Sequence, residues 1–228
     1  MQDVRGQGPW ELSPMTLRSM DLTLDDLEAL ILANPNLRGP IFGYAAEPKA
    51  IAQLEAKYLK RFKDFGKPDD HDRNLHFDRL VGIDGHLVRL EVKSLQTASI
   101  RQKEDGGPLR GSFQVDASDK REVTLSDGST VATTALVRGG FDVVAINMFA
   151  AFGSWRFAYC AERDLPSSKM KRLNSEQRSQ LLQTSVQIVI PWPKGDLQEP
   201  FSWSFKNVVD GLLISTNLDT YESNNRSA

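Results

Sequence analysis

The sequence predicts an α/β protein in which a mixed central β-sheet is flanked by helices. Three observations predict this fold class. Asp84-Gly85 separates two alternating apolar runs, which is the strongest short-range signal for a two-residue β-hairpin of type I′. Residues 141–149 form a nearly continuous apolar run, as expected of a buried central strand. Residues 46–64 carry apolar side chains at helical spacing. Helices and strands in this order indicate a layered α/β core.

The chain before the hairpin is expected to hold an arm and two helices. Residues 1–20 are rich in Gly, Pro, Ser and Met and indicate a poorly ordered N-terminal arm. A short helix is expected over residues 22–34, because acidic residues occupy its first turn. Residues 34–40 contain two prolines and a glycine that are expected to end it. The second helix is expected over residues 46–64.

The chain after the hairpin is expected to add a second hairpin and several flanking elements. Asp127-Gly128 predicts a turn that joins strands at 123–125 and 130–132. The other expected elements are a strand at 155–160, a helix near 174–184, a strand at 186–190, a helix at 204–214 and a frayed tail at 221–228. Residues 21–220 are expected to form a single domain with C-terminal additions.

Composition excludes several classes of protein. The 228 residues are 40% hydrophobic and 25% charged, which is ordinary for a globular protein. No apolar run approaches eighteen residues and the N-terminus lacks a signal-peptide core, so neither a membrane span nor secretion is expected. The single Cys160 cannot form an intramolecular disulfide, which favours a cytoplasmic location. A net charge of −2 argues against a protein that coats nucleic acid generally.

The register of the first hairpin brings three ionisable side chains together. With Asp84-Gly85 as the turn, Asp78 lies directly opposite Glu91. Strand alternation places Lys93 on the same face as Glu91 and turns Val92 toward the core. Two opposed carboxylates destabilise a sheet unless something compensates for their charge. Carboxylate oxygens suit Mg²⁺, so a divalent cation is the expected compensation. A plain strand cap with exposed charges is the alternative interpretation.

Asp78 and the triplet Glu91-Val92-Lys93, joined by a strand, a turn and a strand, resemble the PD-(D/E)xK nuclease core of restriction endonucleases and Holliday-junction resolvases. The residue before the aspartate is Phe77, where the family pattern has proline. The resemblance covers about residues 38–165. It implies a restriction-endonuclease-like core and hydrolysis of DNA phosphodiester bonds with Mg²⁺, for which Mn²⁺ is expected to substitute.

The resemblance also implies roles for individual residues. Asp78, Glu91 and the backbone carbonyl of Val92 would bind the metal, and Lys93 would orient the attacking water. A third carboxylate commonly lies on the helix before the hairpin in this superfamily. Glu47 is preferred for that role, and Glu55 competes because both lie on the apolar stripe of the predicted helix. The proline after Glu47 favours a position at the start of a helix, which would make Glu47 a cap instead.

Contacts to DNA are expected from polar and basic residues that follow the motif. Gln96 and Gln114 lie where the superfamily often places polar contacts to DNA. The basic candidates are Arg101, Lys120 and Arg121. Residues 112–121 are unusually polar and indicate either a loop that faces DNA or a plain connector. His71 or His76 is a candidate base, although a solvated loop histidine is the simpler interpretation. Surface solubility explains each of these residues equally well.

A restriction endonuclease of a defence system is the preferred function, because the chain beyond Cys160 is longer than a minimal resolvase needs. A structure-selective resolvase or repair nuclease and a catalytically silent nucleic-acid-binding subunit are the alternatives. The expected partner is double-stranded DNA, bound by a homodimer whose two-fold symmetry matches a palindromic site. The apolar segments 201–205 and 208–214 are candidates for the dimer interface, or they pack on the core.

Overall fold

The structure of this protein is a computed structural model that describes residues 17, 19–67, 77–102, 106–192 and 194–213. The predicted arm falls almost entirely outside the described residues, and so do the tail, His71 and His76. The chain divides into two compact units, with the boundary between Phe42 and Gly43. In the described chain, no helix has both the length and the apolar character needed to cross a membrane.

The helices differ in extent from those that the sequence predicts. They are α1 (Leu24–Ala33), α2 (Arg38–Tyr58), α3 (Phe149–Phe152), α4 (Ser175–Ser179) and α5, described over residues 205–213. α1 begins with a capping box, in which the side chains of Thr23 and Asp26 each accept a hydrogen bond from the backbone N–H of the other residue. This cap agrees with the predicted start of the helix. α2 begins eight residues earlier than predicted, because Pro40 lies in its first turn, where a missing N–H is tolerated.

Nine strands occur in the described chain. In chain order they are β1 (Phe62–Asp64), β2 (Arg79–Ile83), β3 (His86–Ser94), β4 (Leu109–Gln114), β5 (Asp116–Thr124), β6 (Thr130–Ala135), β7 (Val143–Asn147), β8 (Phe157–Ala161) and β9 (Ser185–Ile190). The central sheet has the order β1-β2-β3-β7-β8, and two-stranded sheets pair β4 with β9 and β5 with β6. β3 and β7 run parallel and all other neighbours in the central sheet run antiparallel, so the predicted mixed sheet is confirmed.

The first hairpin has the predicted turn and the predicted register. Asp84 and Gly85 have φ angles of 51° and 85°, the left-handed values that a type I′ turn requires at both central positions. Strand pairing runs from Arg79–Leu90 to Ile83–His86, in the register that this turn dictates. Arg61 holds the turn from outside the hairpin through two hydrogen bonds to the Asp84 carboxylate, at 2.7 and 2.6 Å.

The central sheet separates two apolar cores. Its helix face, the face covered by α2 and α5, buries alternate residues such as Leu90 and Val143. Its strand face, the face covered by β4 and β9, buries the intervening residues such as Val144 and Ile146. Apolar residues on both faces explain why β7 is a continuous apolar run. Any polar side chain in the middle of this sheet therefore enters a core.

Two predictions for the chain after β3 are wrong in detail. Residues 112–121 are neither a loop nor a connector, because they lie in β4 and β5 apart from Val115. The helix predicted near 174–184 is the five-residue α4, because Leu181 and Leu182 leave it to make β-bridges with Val137 and Ser167. The second hairpin, between β5 and β6, is confirmed, with Gly128 in its turn at a φ angle of 79°.

The C-terminal apolar segments pack on the core, which is one of the two alternatives that the sequence leaves open. Phe205 is fully buried, and its ring lies 6.4 Å from the ring of Tyr58 and 5.4 Å from that of Tyr159, between centroids. Phe201 and Trp203 are partly buried against the strand-face core. Val208, Leu212 and Leu213 pack against the helix-face core. These contacts assign the two segments to the cores of the chain itself.

We expect Phe205→Ala to lower the free energy of unfolding by about 3–5 kcal/mol, because it removes a fully buried ring and leaves a cavity. Urea titration followed by tryptophan fluorescence measures this loss. Phe65→Ala is the matched control, since its ring is 48% exposed and its removal should cost much less. Equal losses in the two variants would show that α5 does not pack on the core in solution.

Candidate active site

Asp78 joins the two strands of the hairpin at its open end. The register alone predicts that Asp78 pairs with Glu91. In the structure β2 begins at Arg79, so Asp78 precedes the strand and is not paired with Glu91. Its N–H donates to the carbonyl oxygen of Leu90 at 2.9 Å. Its Oδ2 accepts a hydrogen bond from the backbone N–H of Val92 at 2.7 Å. The carboxylate is therefore fixed against β3, beside the residue that separates Glu91 from Lys93.

Glu91 and Lys93 form an ion pair on β3. Lys93 Nζ lies 2.7 Å from Glu91 Oε1, and Glu91 is only 6% exposed. Lys93 also donates a hydrogen bond to the carbonyl oxygen of Asp116 at 3.2 Å. In the parallel ladder Glu91 and Lys93 pair with Val144 and Ile146, which belong to the strand-face core. The ion pair therefore lies on the strand face of the central sheet.

Val92 points to the opposite side of the sheet, as the sequence predicts. Its side chain packs against the helix-face core, and its strand partner in β7 is Ala145 of the same core. The side chains of Glu91 and Lys93 thus share one face while the residue between them anchors the strand in the other. The proposed metal ligation by the Val92 carbonyl stays a prediction.

Burial and charge shift the pKa of both members of the ion pair. Burial raises the pKa of Glu91 to about 7, the charge of Asp78 adds to the rise, and Lys93 opposes it. Burial would lower the pKa of Lys93, but the carboxylates of Glu91 and Asp78 outweigh burial and raise it. Lys93 is therefore a cation at neutral pH, whereas Glu91 exchanges its proton near neutrality. A carboxyl poised in this range suits a metal ligand or a proton acceptor.

Glu47 does not join Asp78 and Glu91. Its Oε1 lies 2.8 Å from Arg79 Nε and its Oε2 lies 2.9 Å from Lys67 Nζ, so both oxygens are engaged. α2 packs on the helix face, whereas Glu91 is on the strand face. The expected role of Glu47 as a third metal ligand stays a prediction, and these contacts do not support it. In the described ranges, no three acidic, histidine or cysteine side chains gather to hold a metal.

The two alternatives considered for the helix before the hairpin also have outcomes in the structure. Glu55 is exposed on α2, so the predicted apolar stripe contains Glu47 but not Glu55. Pro48 lies inside α2 and not at its start, so Glu47 is not a helix cap. Glu47 is instead the centre of an ion-pair network that includes Arg79, which also lies 3.4 Å from Asp64.

The donor set at the open end of the hairpin fits Mg²⁺ in a partial site. Asp78 and Glu91 offer carboxylate oxygens, the hard ligands that Mg²⁺ prefers. Mg²⁺ retains several waters and is commonly bound through one or two carboxylates together with substrate phosphates. Two carboxylates without a third acidic residue are therefore compatible with a metal that a nucleic-acid phosphate helps to hold.

The predicted DNA contacts lie in different environments. Gln96 is exposed, and its Oε1 accepts a hydrogen bond from Ser112 Oγ at 3.3 Å. Gln114 is half-buried at the end of β4, opposite Ser185 of β9. Arg101 is exposed and its backbone pairs with that of Arg110. The role of each in DNA binding stays a prediction.

β5 carries the two remaining basic candidates and one residue that the sequence did not single out. Lys120 is exposed, whereas Arg121 is half-buried and its charge lowers the pKa of Glu91. Asp116, at the start of β5, supplies the carbonyl oxygen that holds Lys93, and burial raises the pKa of its own carboxyl. The only sequence signal for these contacts is the unusual polarity of residues 112–121. That signal does not say which side chain approaches the motif.

Comparisons with known proteins give little beyond this geometry. No protein-family model matches the sequence, and no curated protein matches it. Among solved structures, this chain is similar to the bacterial homing endonuclease I-Ssp6803I, with 16% sequence identity over 62% of this chain and 87% of that one. The TM-score is 0.30, so the superposition assigns no role to any residue.

We expect the stability of the protein to depend on pH through Glu91. In the folded protein its pKa is about 7, above the ordinary value of 4.5, so folding holds the proton more tightly. The contribution of the Glu91 carboxyl to the free energy of unfolding is therefore fully present below about pH 4.5 and is lost as pH rises through about 7. The loss approaches about 1.4 kcal/mol per pH unit at its steepest.

Urea titrations between about pH 5 and about pH 8 measure this dependence, with Glu91→Gln as the reference that carries no proton to exchange. The difference in free energy of unfolding between wild type and Glu91→Gln should fall as pH rises and then level off. A difference that stays constant over the whole interval would show that the Glu91 carboxyl has an ordinary pKa in the folded protein.

Proposed function

We propose that this protein is a Mg²⁺-dependent endonuclease that hydrolyses phosphodiester bonds in double-stranded DNA. The observation that supports this proposal most directly is the Glu91–Lys93 ion pair on a central strand, with the Asp78 carboxylate fixed beside it. Ion pairs removed from water contribute little net stability. A buried ion pair with a carboxyl that titrates near neutrality is better explained by catalysis than by folding.

Each of the three residues has a role in the proposed reaction. Asp78 and Glu91 would hold Mg²⁺, which when bound supplies positive charge for a phosphoryl oxygen and an attacking water. The hydrogen bond from Val92 N–H keeps the Asp78 carboxylate in place. Lys93, held as a cation by Glu91 and Asp78, stabilises the negative charge that develops on the phosphate during attack. Glu91 must be ionised to bind the metal, which its pKa of about 7 permits at neutral pH.

We expect Asp78→Ala, Glu91→Ala and Lys93→Met each to reduce Mg²⁺-dependent nicking of supercoiled plasmid DNA by at least about 100-fold, because each removes a charge at the reacting phosphate. Gel assays of the purified variants measure this loss. Glu162→Gln is the matched control: Glu162 is buried in an ion pair with Arg138 at 3.1 Å, but it follows β8, two strands from β3.

The control separates catalysis from packing. Glu162→Gln also disrupts a buried ion pair, so it should change stability but keep the cleavage rate. A wild-type protein that does not nick plasmid DNA with Mg²⁺ or Mn²⁺ would contradict the proposed function. If Lys93→Met cleaves at the wild-type rate, Lys93 has no role in the mechanism, and only the two carboxylates remain as proposed catalytic groups.

Within this class we propose a restriction endonuclease that acts as a homodimer. The chain beyond Cys160 supports this choice, because it forms elements that are part of the folded protein. It contributes β9, which pairs with β4, and α5, which packs on the helix-face core. One active site cuts one strand, so a two-fold dimer would supply the second cut at a palindromic sequence.

We expect digestion of long duplex DNA to yield discrete fragments whose ends share one sequence, because a restriction enzyme reads base edges at a fixed site. Sequencing of the fragment ends tests this expectation, and light scattering tests the homodimer. Preferential cleavage of four-way junctions over linear duplex would instead establish a resolvase. A monomeric mass together with accumulation of nicked circles would contradict the dimer and indicate two sequential cuts.

A further inference from the structure

β5 begins beside the ion pair on the strand face of the central sheet. Its first residue, Asp116, accepts the hydrogen bond from Lys93 Nζ at 3.2 Å, and Ala117 packs against the strand-face core. Five residues further along, Arg121 lies close enough for its charge to act on Glu91. β5 therefore brings a guanidinium group into the neighbourhood of the Glu91–Lys93 pair, from an element that the three-residue motif does not include.

One donor of the Arg121 side chain lacks an acceptor in the described chain. Its Nε is buried, and no residue of the described chain accepts a hydrogen bond from it. Other arginines of the same part of the chain do meet carboxylates: Arg61 meets Asp84, Arg89 meets Asp142 and Arg138 meets Glu162. A buried donor without an acceptor destabilises the folded protein, and an arginine carries its charge at any ordinary pH.

The pairing of β5 with β6 changes between the residue that holds Lys93 and Arg121. The ladder between β5 and β6 is regular from Arg121–Thr133 onward, but its register shifts between Asp116 and Arg121. A bulge of this kind redirects side chains and is common beside active sites. Glu91 Oε1 is engaged with Lys93, whereas Arg121 acts on Glu91 through its charge and not through a hydrogen bond. Because Arg121 is half-buried and not fully buried, its guanidinium group is open to an acceptor supplied by a ligand.

We propose that Arg121 binds the phosphate of the substrate strand at the Glu91–Lys93 pair, by donating from its guanidinium group to the non-bridging oxygens. This inference rests on the proposed function and extends it by one substrate-contacting residue. The planar guanidinium fork matches two phosphate oxygens, which an ammonium group does not. Lys93 would then act at the charge that develops during attack, while Arg121 would hold the phosphate before and throughout the reaction.

Arg121→Gln and Arg121→Lys test the proposal in the full-length protein, with Arg163→Gln as the matched control. Arg163 is an exposed arginine whose side chain donates to the carbonyl oxygen of Gly211 at 2.9 Å, so its replacement removes the same charge elsewhere. Two quantities are measured. One is the affinity for a DNA duplex without divalent metal at several salt concentrations, and the other is the single-turnover cleavage rate with Mg²⁺.

Arg121→Gln should lower the single-turnover rate by about 100-fold and reduce the slope of log Kd against log salt by about 1, because one phosphate contact is lost. Arg121→Lys should keep the slope but lose most of the rate, since the charge remains and the fork does not. Arg163→Gln should match wild type in both measurements. Thermal unfolding of Arg121→Gln should occur at or above the wild-type temperature, because no residue of the described chain accepts a hydrogen bond from the buried Arg121 Nε.

Three outcomes would overturn the proposal or separate it from the proposed function. Wild-type rate and slope in Arg121→Gln would refute the role of Arg121 and leave the proposed function intact. A large fall in the unfolding temperature of Arg121→Gln, with stability and rate both restored by lysine, would show a structural role. A wild type that does not cleave, but whose metal-free binding slope depends on Arg121, would refute the nuclease and support the phosphate contact.

Discussion

The buried ion pair between Glu91 and Lys93 is the interaction on which the candidate site depends. β3 lies in the interior of the central sheet, between β2 and β7, so its side chains enter apolar cores. Two charges in that position require each other, because a single buried charge would cost several kcal/mol. Each member of the pair also affects the pKa of the other. Lys93 limits the rise in the pKa of Glu91, and Glu91 raises the pKa of Lys93 and so keeps it protonated.

Main-chain contacts from two directions hold this pair in place. From the hairpin, the Asp78 carboxylate accepts the N–H of Val92, so the strand between the paired residues cannot shift without breaking that bond. From the strand face, the carbonyl of Asp116 fixes the Lys93 amine. Side chains secured by backbone groups of packed strands keep their geometry more precisely than side chains on loops. β5 supplies the carbonyl that fixes Lys93, and it carries the half-buried Arg121, whose charge acts on Glu91.

The fate of Glu47 shows why pattern alone could not complete the site. Helical periodicity indicated that Glu47 faces inward, and it does, with 8% of its surface exposed. Periodicity could not say which face of the sheet the helix would cover. α2 covers the helix face, where Arg79 and Lys67 meet the Glu47 carboxylate, while strand alternation directs Glu91 to the other side. A residue can thus be correctly predicted as inward and still lie across a sheet from its expected partners.

The sequence by itself determined the local geometry of this protein: the type I′ turn at Asp84-Gly85, the register of β2 with β3 and the alternation that places Glu91 and Lys93 on one face. These features follow from residues close in sequence, because a two-residue turn and a period of two leave little choice. Only the tertiary structure decided that Asp116 and Arg121 approach the pair and that Glu47 does not. Those contacts depend on how separate elements pack, and packing is set by the shape and burial of the whole core, which no local pattern encodes.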